Sequence, residues 1–341
     1  MSGATLRTVL HVLPHPGGGG DEYVRLLEAM EGFRFERTYL TRAMAPREAV
    51  MSLPALRRRV RAFDLVQVHG DAAAIVCMPL LRTRPSVLTT HGLNLLRRSG
   101  GLRGRLVRRA IRAAVSSSVV TICNSQAERD EVRALTHEQS KLRFIPNAVE
   151  IPDDLAPFDR AAQRRLLGLT PSDFAAVWAG ALQPNKDPMT FARAVAEAGP
   201  PVVGLIAGEG PMRAPLEVAA SPNLRILGHR DDLDRVLRAS DAFVMTSARE
   251  AISLAILEAM ARRLPVVVSD RPGNPEAVGE DGIITPFGDA RAIADALRRL
   301  VGAPELRRDL GERGRRRVER LYDSRRMVAA TRAVYERALG A

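Results

Sequence analysis

Two glutamates eight positions apart, Glu250 and Glu258, stand in the stretch Ser247-Ala-Arg-Glu-Ala-Ile-Ser-Leu-Ala-Ile-Leu-Glu-Ala-Met-Ala261. From Leu254 to Ala261 every residue but Glu258 is apolar, so a helix here is buried on nearly all sides. A carboxylate inside such a helix is costly unless something hydrogen-bonds it. Glu250 falls at the helix entrance, where backbone N–H groups and the positive dipole end form an anion site. The chemistry this suits is a diphosphate on the helix N-terminus, with a glutamate gripping hydroxyl groups on either side. The competing reading pairs Glu258 with an arginine and makes Glu250 an ordinary first-turn acid.

Three further clusters sit at the ends of apolar runs. Pro16-Gly-Gly-Gly-Gly-Asp21 precedes a helical pattern that begins near Glu22. Its glycines let backbone N–H groups approach an oxyanion. Their spacing fits neither the dinucleotide fingerprint nor a Walker loop, which argues against a nicotinamide enzyme or an NTPase. A flexible turn is the plainer reading. Thr90-His-Gly92 and His69-Gly70-Asp71 each place a histidine at a strand end. The two cysteines, Cys77 and Cys123, form no CxxC or partner pattern, so neither a disulfide scaffold nor a zinc site is indicated.

Elements must hold these groups in place. Short β-branched runs alternate with longer amphipathic stretches along all 341 residues. Strands are expected near 7–13, 35–40, 65–69, 86–90, 119–123 and 142–145. A second series is expected near 175–179, 202–207, 224–227, 242–245, 266–269 and 283–285. Such alternation implies βαβ units and parallel sheets. Twelve strands are many for one sheet, and the three prolines between Pro146 and Pro157 mark a break. The expected fold is therefore α/β, with two Rossmann-like domains facing across a cleft. Residues 1–148 form the first and 149–323 the second, and a closing helix at about 324–341 packs back on the first. Ligands of such folds lie at the carboxyl ends of the strands, where the clusters above fall.

Composition narrows the class. The chain is 46% hydrophobic and 26% charged, an ordinary globular balance. The longest apolar run, 72–81, is far short of the ~20 residues that cross a bilayer. Residues 7–13 read as a strand and not as the core of a signal peptide. A soluble, cytoplasmic protein is expected. The net charge of +12 is uneven: residues 1–150 carry 23 basic and 13 acidic side chains, and no Asp or Glu lies between Asp71 and Glu128. Within that gap, residues 102–115 have helical periodicity, with Leu102, Leu106, Ala110 and Ala114 on one stripe and Arg105, Arg108, Arg109 and Arg112 elsewhere. Three readings fit this helix: a solvated face, a docking surface for an anionic membrane at its inner face, or a cradle for an anionic acceptor. Nucleic acid fits worst, because aromatics are scarce and no recognised motif accompanies the charge.

The Glu250/Glu258 pattern followed by Ala-Met-Ala, then Pro265-Val-Val-Val-Ser-Asp270 and Pro272-Gly-Asn-Pro-Glu276, resembles the retaining glycosyltransferases of family 4 with the GT-B fold. Gly208-Glu-Gly-Pro211, Leu227-Gly-His-Arg-Asp-Asp232 and Phe144-Ile-Pro-Asn147 are similar to further family segments. The likeness covers about 140–325 well and the first half loosely. It implies transfer of a sugar from a nucleotide diphosphate-sugar to an acceptor hydroxyl, without metal or cofactor and by front-face attack. Glu258 would bind the ribose, Glu250 the donor sugar, and the amides of Ile252, Ser253 and Leu254 the β-phosphate. Lys186, in Gly180-Ala-Leu-Gln-Pro-Asn-Lys186, matches the lysine that neutralises the leaving diphosphate. It is one of two lysines beside 49 arginines. Gly180, Gly208, Gly18 and Gly19 would line the donor, and His91 would reach the sugar. His69 and Asp21 are expected on the acceptor side. Where relatives carry an arginine this chain has Ala181, which leaves a non-catalytic, partner-dependent sugar-nucleotide binder as the alternative. The acceptor is either lipid-linked or a small molecule.

Overall fold

The computed structural model describes residues 6–41, 51–153 and 157–340. Residues 154–156 of the expected inter-domain break lie outside the described residues. The chain divides into two compact units, one of Met1–Asn147 with Ser324–Ala341 and the other of Ala148–Asp323.

The first unit is built on strands β1 (Arg7–Leu13), β2 (Phe33–Tyr39), β3 (Leu65–His69), β4 (Ser86–Thr89), β5 (Val120–Cys123) and β6 (Leu142–Phe144). Its helices are α1 (Gly19–Leu27), α2 (Leu53–Val60), α3 (Asp71–Cys77), α4 (Asn94–Arg97), α5 (Gly101–Ser117) and α6 (Gln126–Leu135). The strands form one parallel sheet in the order β2-β1-β3-β4-β5-β6. Interior strands such as β3 are buried along their whole length, as helix-covered parallel strands are. Edge strand β2 carries Arg34, Glu36 and Arg37 instead.

Leu10, Val12, Val66 and Val68 point to one face, packed with Leu56, Val60, Ala73 and Cys77. The opposite face carries His11, Gln67 and His69, all buried. The last helix of the chain, Ser324–Gly340, packs against β3, β4 and α1 on this unit. Its buried Tyr335 donates to Gln67, whose amide donates in turn to Thr89 Oγ1 at 2.6 Å. The closing helix thus adheres to the first unit, as its lack of a following strand implies.

The second unit holds α7 (Arg160–Leu166), β7 (Phe174–Ala179), α8 (Pro188–Ala198), β8 (Val202–Ala207), α9 (Arg213–Ala219), β9 (Leu224–Gly228), α10 (Leu233–Ala239) and β10 (Ala242–Met245). It continues with α11 (Leu254–Ala261), β11 (Val266–Ser269), α12 (Asn274–Val278), β12 (Ile283–Thr285), α13 (Ala290–Gly302) and α14 (Pro304–Leu321); the closing helix is α15. The order β12-β11-β10-β7-β8-β9 is again parallel. Alternate residues serve two cores. Val177, Leu205, Phe243 and Val268 meet α11, while Trp178, Ile206, Val244 and Val267 meet α8 and α13.

Each sheet reverses its winding once, between β1 and β3 and between β7 and β10. Loops diverge at such switch points and leave room for a ligand. The glycine loop follows β1 and His69 ends β3; the Lys186 loop follows β7 and the Glu250 loop follows β10.

One expectation about the basic helix fails. The buried stripe of α5 is Gly104, Val107, Ile111, Ala114 and Val115, whereas Leu102 and Leu106 are 70% and 59% exposed. Gly104 decides the rotation: a Cβ there would lie 2.5 Å from the Ser99 carbonyl oxygen, so the helix seats on its glycine.

Candidate active site

After β7 the chain passes through Gly180 and a short turn, Pro184–Lys186, to Asp187. Asp187 adopts φ 47° and caps α8 by accepting from the Thr190 amide and hydroxyl. The turn is anchored from β10. Trp178 Nε1 donates to Thr246 Oγ1 at 3.0 Å, and that hydroxyl faces the carbonyls of Lys186 and Asp187 at 3.0 and 2.7 Å. Lys186 is thereby aimed at the neighbouring loop, where Nζ meets both Glu250 carboxylate oxygens at 2.6 and 2.7 Å. The Glu250 side chain is only 10% exposed.

The 247–253 segment is a loop that leads into the helix. α11 begins at Leu254 with Ser253 as its cap residue, so Glu250 lies in the loop ahead of it. The reason is a brace from the segment after β11. Pro272 accepts from the Glu250 amide, and Asn185 accepts from the Ala248 amide. Ser269 Oγ and Asn274 Nδ2 donate to the Ser247 carbonyl. Gly273 lets the two loops touch: a Cβ there would stand 2.1 Å from the Ala251 carbonyl oxygen, at φ +90°. Ser253 makes no side-chain cap, so the amides that open α11 face outward from the helix end without one. Ile252 and Ser253 are both buried.

Beside this loop lies a cavity of about 380 Å³ at the ends of β7, β8 and β9, lined by Gly180, Ala181, Gly208, Arg230, Leu254 and Glu258 among others. The strand-end loops are stitched together: Gly180 donates to Ala207, Gly208 to Gly228, and Leu182 to Glu209. Gly208 is required for this, since a Cβ there would collide with the Gly180 carbonyl oxygen. On α11, Leu254, Ala255 and Glu258 are the less buried residues, and they share the side facing the cavity. Ala181 contributes no charge to this wall, whereas Arg230 does, with its guanidinium held on both Asp232 oxygens at 2.7 Å.

In the first unit, Gly17 and Gly18 both take φ 84° with open space around them, so glycine is needed there for conformation alone. Gly19 opens α1. Asp21, expected at the acceptor, instead braces this loop. One carboxylate oxygen accepts from the Gly17 amide, and the other accepts from Tyr39 Oη at 2.7 Å and Arg37 at 3.3 Å. His69 is also turned inward. It is 1% exposed, and its ring nitrogens lie against His11 and His91, which leaves none for an acceptor. His91 is partly exposed and begins three consecutive residues with positive φ: His91 at 45°, Gly92 at 104° and Leu93 at 47°. Backbone strain of this kind persists where the surroundings hold it, and it gathers at functional sites. Here buried Glu128 holds it, accepting from Thr90 Oγ1 at 2.6 Å and the Asn124 amide at 3.0 Å. Burial raises the Glu128 carboxyl and pushes His91 down to about 4. Among the described residues no group of His, Cys, Asp and Glu is placed to hold a metal ion.

The family model described as Glycosyltransferase Family 4 matches residues 8–151, and that described as Glycosyl transferases group 1 matches residues 173–303. The chain belongs to the GT-B glycosyltransferases. These enzymes move a sugar from a nucleotide diphosphate-sugar, and a family model matches each half of the chain. The glycosyltransferase is 29% identical over 286 residues to the putative glycosyltransferase EpsD of Bacillus subtilis, covering 77% of this chain and 74% of that one. It is 28% identical to an Escherichia coli UDP-Gal:alpha-D-GlcNAc-diphosphoundecaprenol alpha-1,3-galactosyltransferase, covering 74% and 70%. Its fold is that of Anabaena HepE, solved with UDP and glucose, at a TM-score of 0.82 and 17% identity over 96% and 99% of the chains.

Several residues that shape the glycosyltransferase site carry no sequence signal of their own. Thr246 and Trp178 aim Lys186, but as single residues on apolar strands they read as core. Asn274 and Ser269 lie inside the quoted Pro265–Glu276 stretch, where their polarity amid apolar residues is the available clue. His11, on an apolar strand, reads as core too.

Proposed function

We propose that the chain transfers a sugar from a uridine diphosphate-sugar to an acceptor hydroxyl with retention at the anomeric carbon. The observation that carries this is the meeting of Lys186 and Glu250 at a switch point, beside the open end of α11 and the Glu258-lined cavity. UDP in the HepE structures and UDP-Gal in the E. coli relative's name favour uridine. Glu258 takes the ribose hydroxyls, Gly180 and Gly208 let the nucleotide lie close to the backbone, and Glu250 takes sugar hydroxyls. The amides of Ile252, Ser253 and Leu254, with Lys186, take the β-phosphate. Gly18 and Gly19 offer further amides to the diphosphate, and His91 hydrogen-bonds the sugar.

In the reaction the acceptor oxygen forms a bond to the anomeric carbon as the bond to the β-phosphate oxygen breaks on the same face. The departing diphosphate takes the acceptor proton. Its growing charge is where cationic and amide donors lower the barrier most. The Lys186–Glu250 pair supports transfer over the non-catalytic alternative, because it sets a cation and a sugar-binding carboxylate side by side where the leaving diphosphate and the donor sugar would meet. Calorimetry with UDP, GDP and ADP, without added metal, tests the reading. UDP binds the wild type, and Glu258→Ala weakens it at least about tenfold, the worth of a hydrogen bond to a charged group. Binding of none of the three would refute it.

The acceptor we assign is lipid-linked. Leu102 and Leu106 stand exposed on α5 among Arg103, Arg105, Arg108 and Arg109, also exposed. Apolar side chains ringed by arginine suit the surface of an anionic bilayer. The E. coli relative's name gives it a diphosphoundecaprenol-linked acceptor. Among the described residues no helix is long and apolar enough to cross a membrane.

A further inference from the structure

The polar face of the first sheet contains a chain of three imidazoles. His11 on β1 is fully buried, His69 ends β3 in the interior, and His91 follows β4 at a partly exposed position. His11 Nδ1 lies 2.9 Å from His69 Nε2, and His69 Nδ1 lies 2.8 Å from His91 Nε2. Tyr23 meets the His69 and His91 rings edge-on at 5.9 and 5.1 Å between centroids, and Phe35 lies 5.4 Å from His11. The rings are therefore wedged in place.

Each nitrogen–nitrogen contact needs one N–H and one lone pair, and a neutral imidazole has one of each. Burial keeps all three neutral, pushing His11 down to about 3, His91 to about 4 and His69 well below its usual range. The tautomers are then coupled, and two arrangements satisfy both contacts. With protons running outward, His11 Nε2 is a bare lone pair and His91 Nδ1 carries an N–H. With protons running inward, His11 Nε2–H is left in the interior and His91 Nδ1 is bare. His11 Nε2 is buried and has no partner among the described residues. An orphaned buried N–H is the rarer fault, so the outward arrangement is favoured. Arg37 adds to this. It is paired in register with His11 across β1 and β2, its guanidinium held by Asp21 and Glu28, and its charge lowers the proton affinity of His11 next after burial and that of His69 after burial, His11 and His91.

We propose that His11 and His69 are positioning residues that, with Arg37 behind them, fix His91 in its Nδ1–H tautomer. His91 then offers a donated hydrogen bond and not a basic nitrogen. This deepens the proposed function and rests on it only for the receiving group, an oxygen of the donor sugar or acceptor. A base is not wanted at that place, because the departing diphosphate takes the proton.

Two-bond ¹H–¹⁵N spectra of ¹⁵N-histidine protein, without ligand, read the tautomer directly, with His91→Gln identifying the His91 signals. The expected result is a pyrrole-like Nδ1 and a pyridine-like Nε2 for His91. In His11→Met, whose thioether can only accept and so favours His69 Nε2–H, the His91 signals move toward the Nε2–H form, and in His11→Asn, whose amide can replace the Nδ1–H donor, they stay. In turnover, His11→Met lowers kcat severalfold at unchanged donor KM, and His11→Asn recovers most of it. An Nε2–H tautomer in the wild type overturns the proposal, as does an unmoved His91 in folded His11→Met. The wild-type spectrum decides even where that variant does not fold. Because it needs no donor, failure to bind any nucleotide would sink the proposed function and still leave the relay to be judged.

Discussion

A lysine held by both oxygens of a glutamate has its charge already met by a side-chain partner. Lys186 and Glu250 are such a pair, 25% and 10% exposed in their side chains. On the proposed function, a diphosphate draws the ammonium away and frees the Glu250 oxygens for sugar hydroxyls, so that one event readies both groups. Lys186→Ala should lower kcat by about 10²–10³, the usual effect of removing a donor to developing negative charge. Lys186→Arg should recover little, since a guanidinium fork has a different reach. Steady-state rates with saturating donor check this, and a Lys186→Ala enzyme within threefold of wild type would exclude the leaving-group role. Lys186, Glu250 and Glu258 were legible in the sequence because their types are rare where they stand, one lysine among arginines and two acids around an apolar helix. His69 and Asp21 are different. The sequence put one at a strand end and the other after the glycine loop, but only packing decides whether such a side chain turns out toward a ligand or in toward its neighbours, and both meet neighbours.

At the scale of elements, the site depends on loops pressed closer than side chains allow. Gly273 sits against the Glu250 and Ala251 carbonyls, with Cβ distances of 2.4 and 2.1 Å if it had one. Gly273→Ala must therefore push the 247–253 segment away from its brace at Pro272, and it also strains a φ of +90°. Stability should fall by about 1–3 kcal/mol, with a loss of donor turnover larger than the loss of nucleotide affinity, because Glu258 on α11 stays anchored. Gly17→Ala shares the positive φ without the contact, so it should show only the conformational cost. Thermal unfolding and nucleotide titration of both variants separate the two, and equal behaviour would remove the brace from the account. The twelve strands were readable because helix-covered parallel strands are continuous β-branched runs. Their order was not, since which strand pairs with which depends on distant segments. The brace that the loop after β11 lends to the segment ahead of α11 was likewise not readable, because it joins residues distant in sequence.

For the molecule as a whole, the uneven charge is the feature that the fold does not consume. Residues 1–150 hold nearly all of the net excess, and α5 gathers arginines where no acid lies between Asp71 and Glu128. A high arginine content alone could be drift, and then the helix would keep its apolar residues inside. Leu102 and Leu106 are instead outside, at 70% and 59% exposure, on the first turns of a helix that seats through Gly104. Each arginine near an anionic surface contributes about 1 kcal/mol and each leucine fully buried in the acyl boundary about 1.5–3 kcal/mol. Those magnitudes give weak, reversible attachment with both a salt-dependent and a salt-resistant part. Sedimentation with vesicles containing anionic lipid should therefore carry the protein down, and salt should reduce but not abolish this. Leu102→Ser with Leu106→Ser should remove the salt-resistant part, and Arg105→Gln with Arg109→Gln the salt-dependent part. Both changes lie on exposed positions, so nucleotide binding should be untouched and serves as the control for folding. If neutral and anionic vesicles sediment the protein equally little, α5 is a solvated face, and the acceptor must then be sought among soluble molecules.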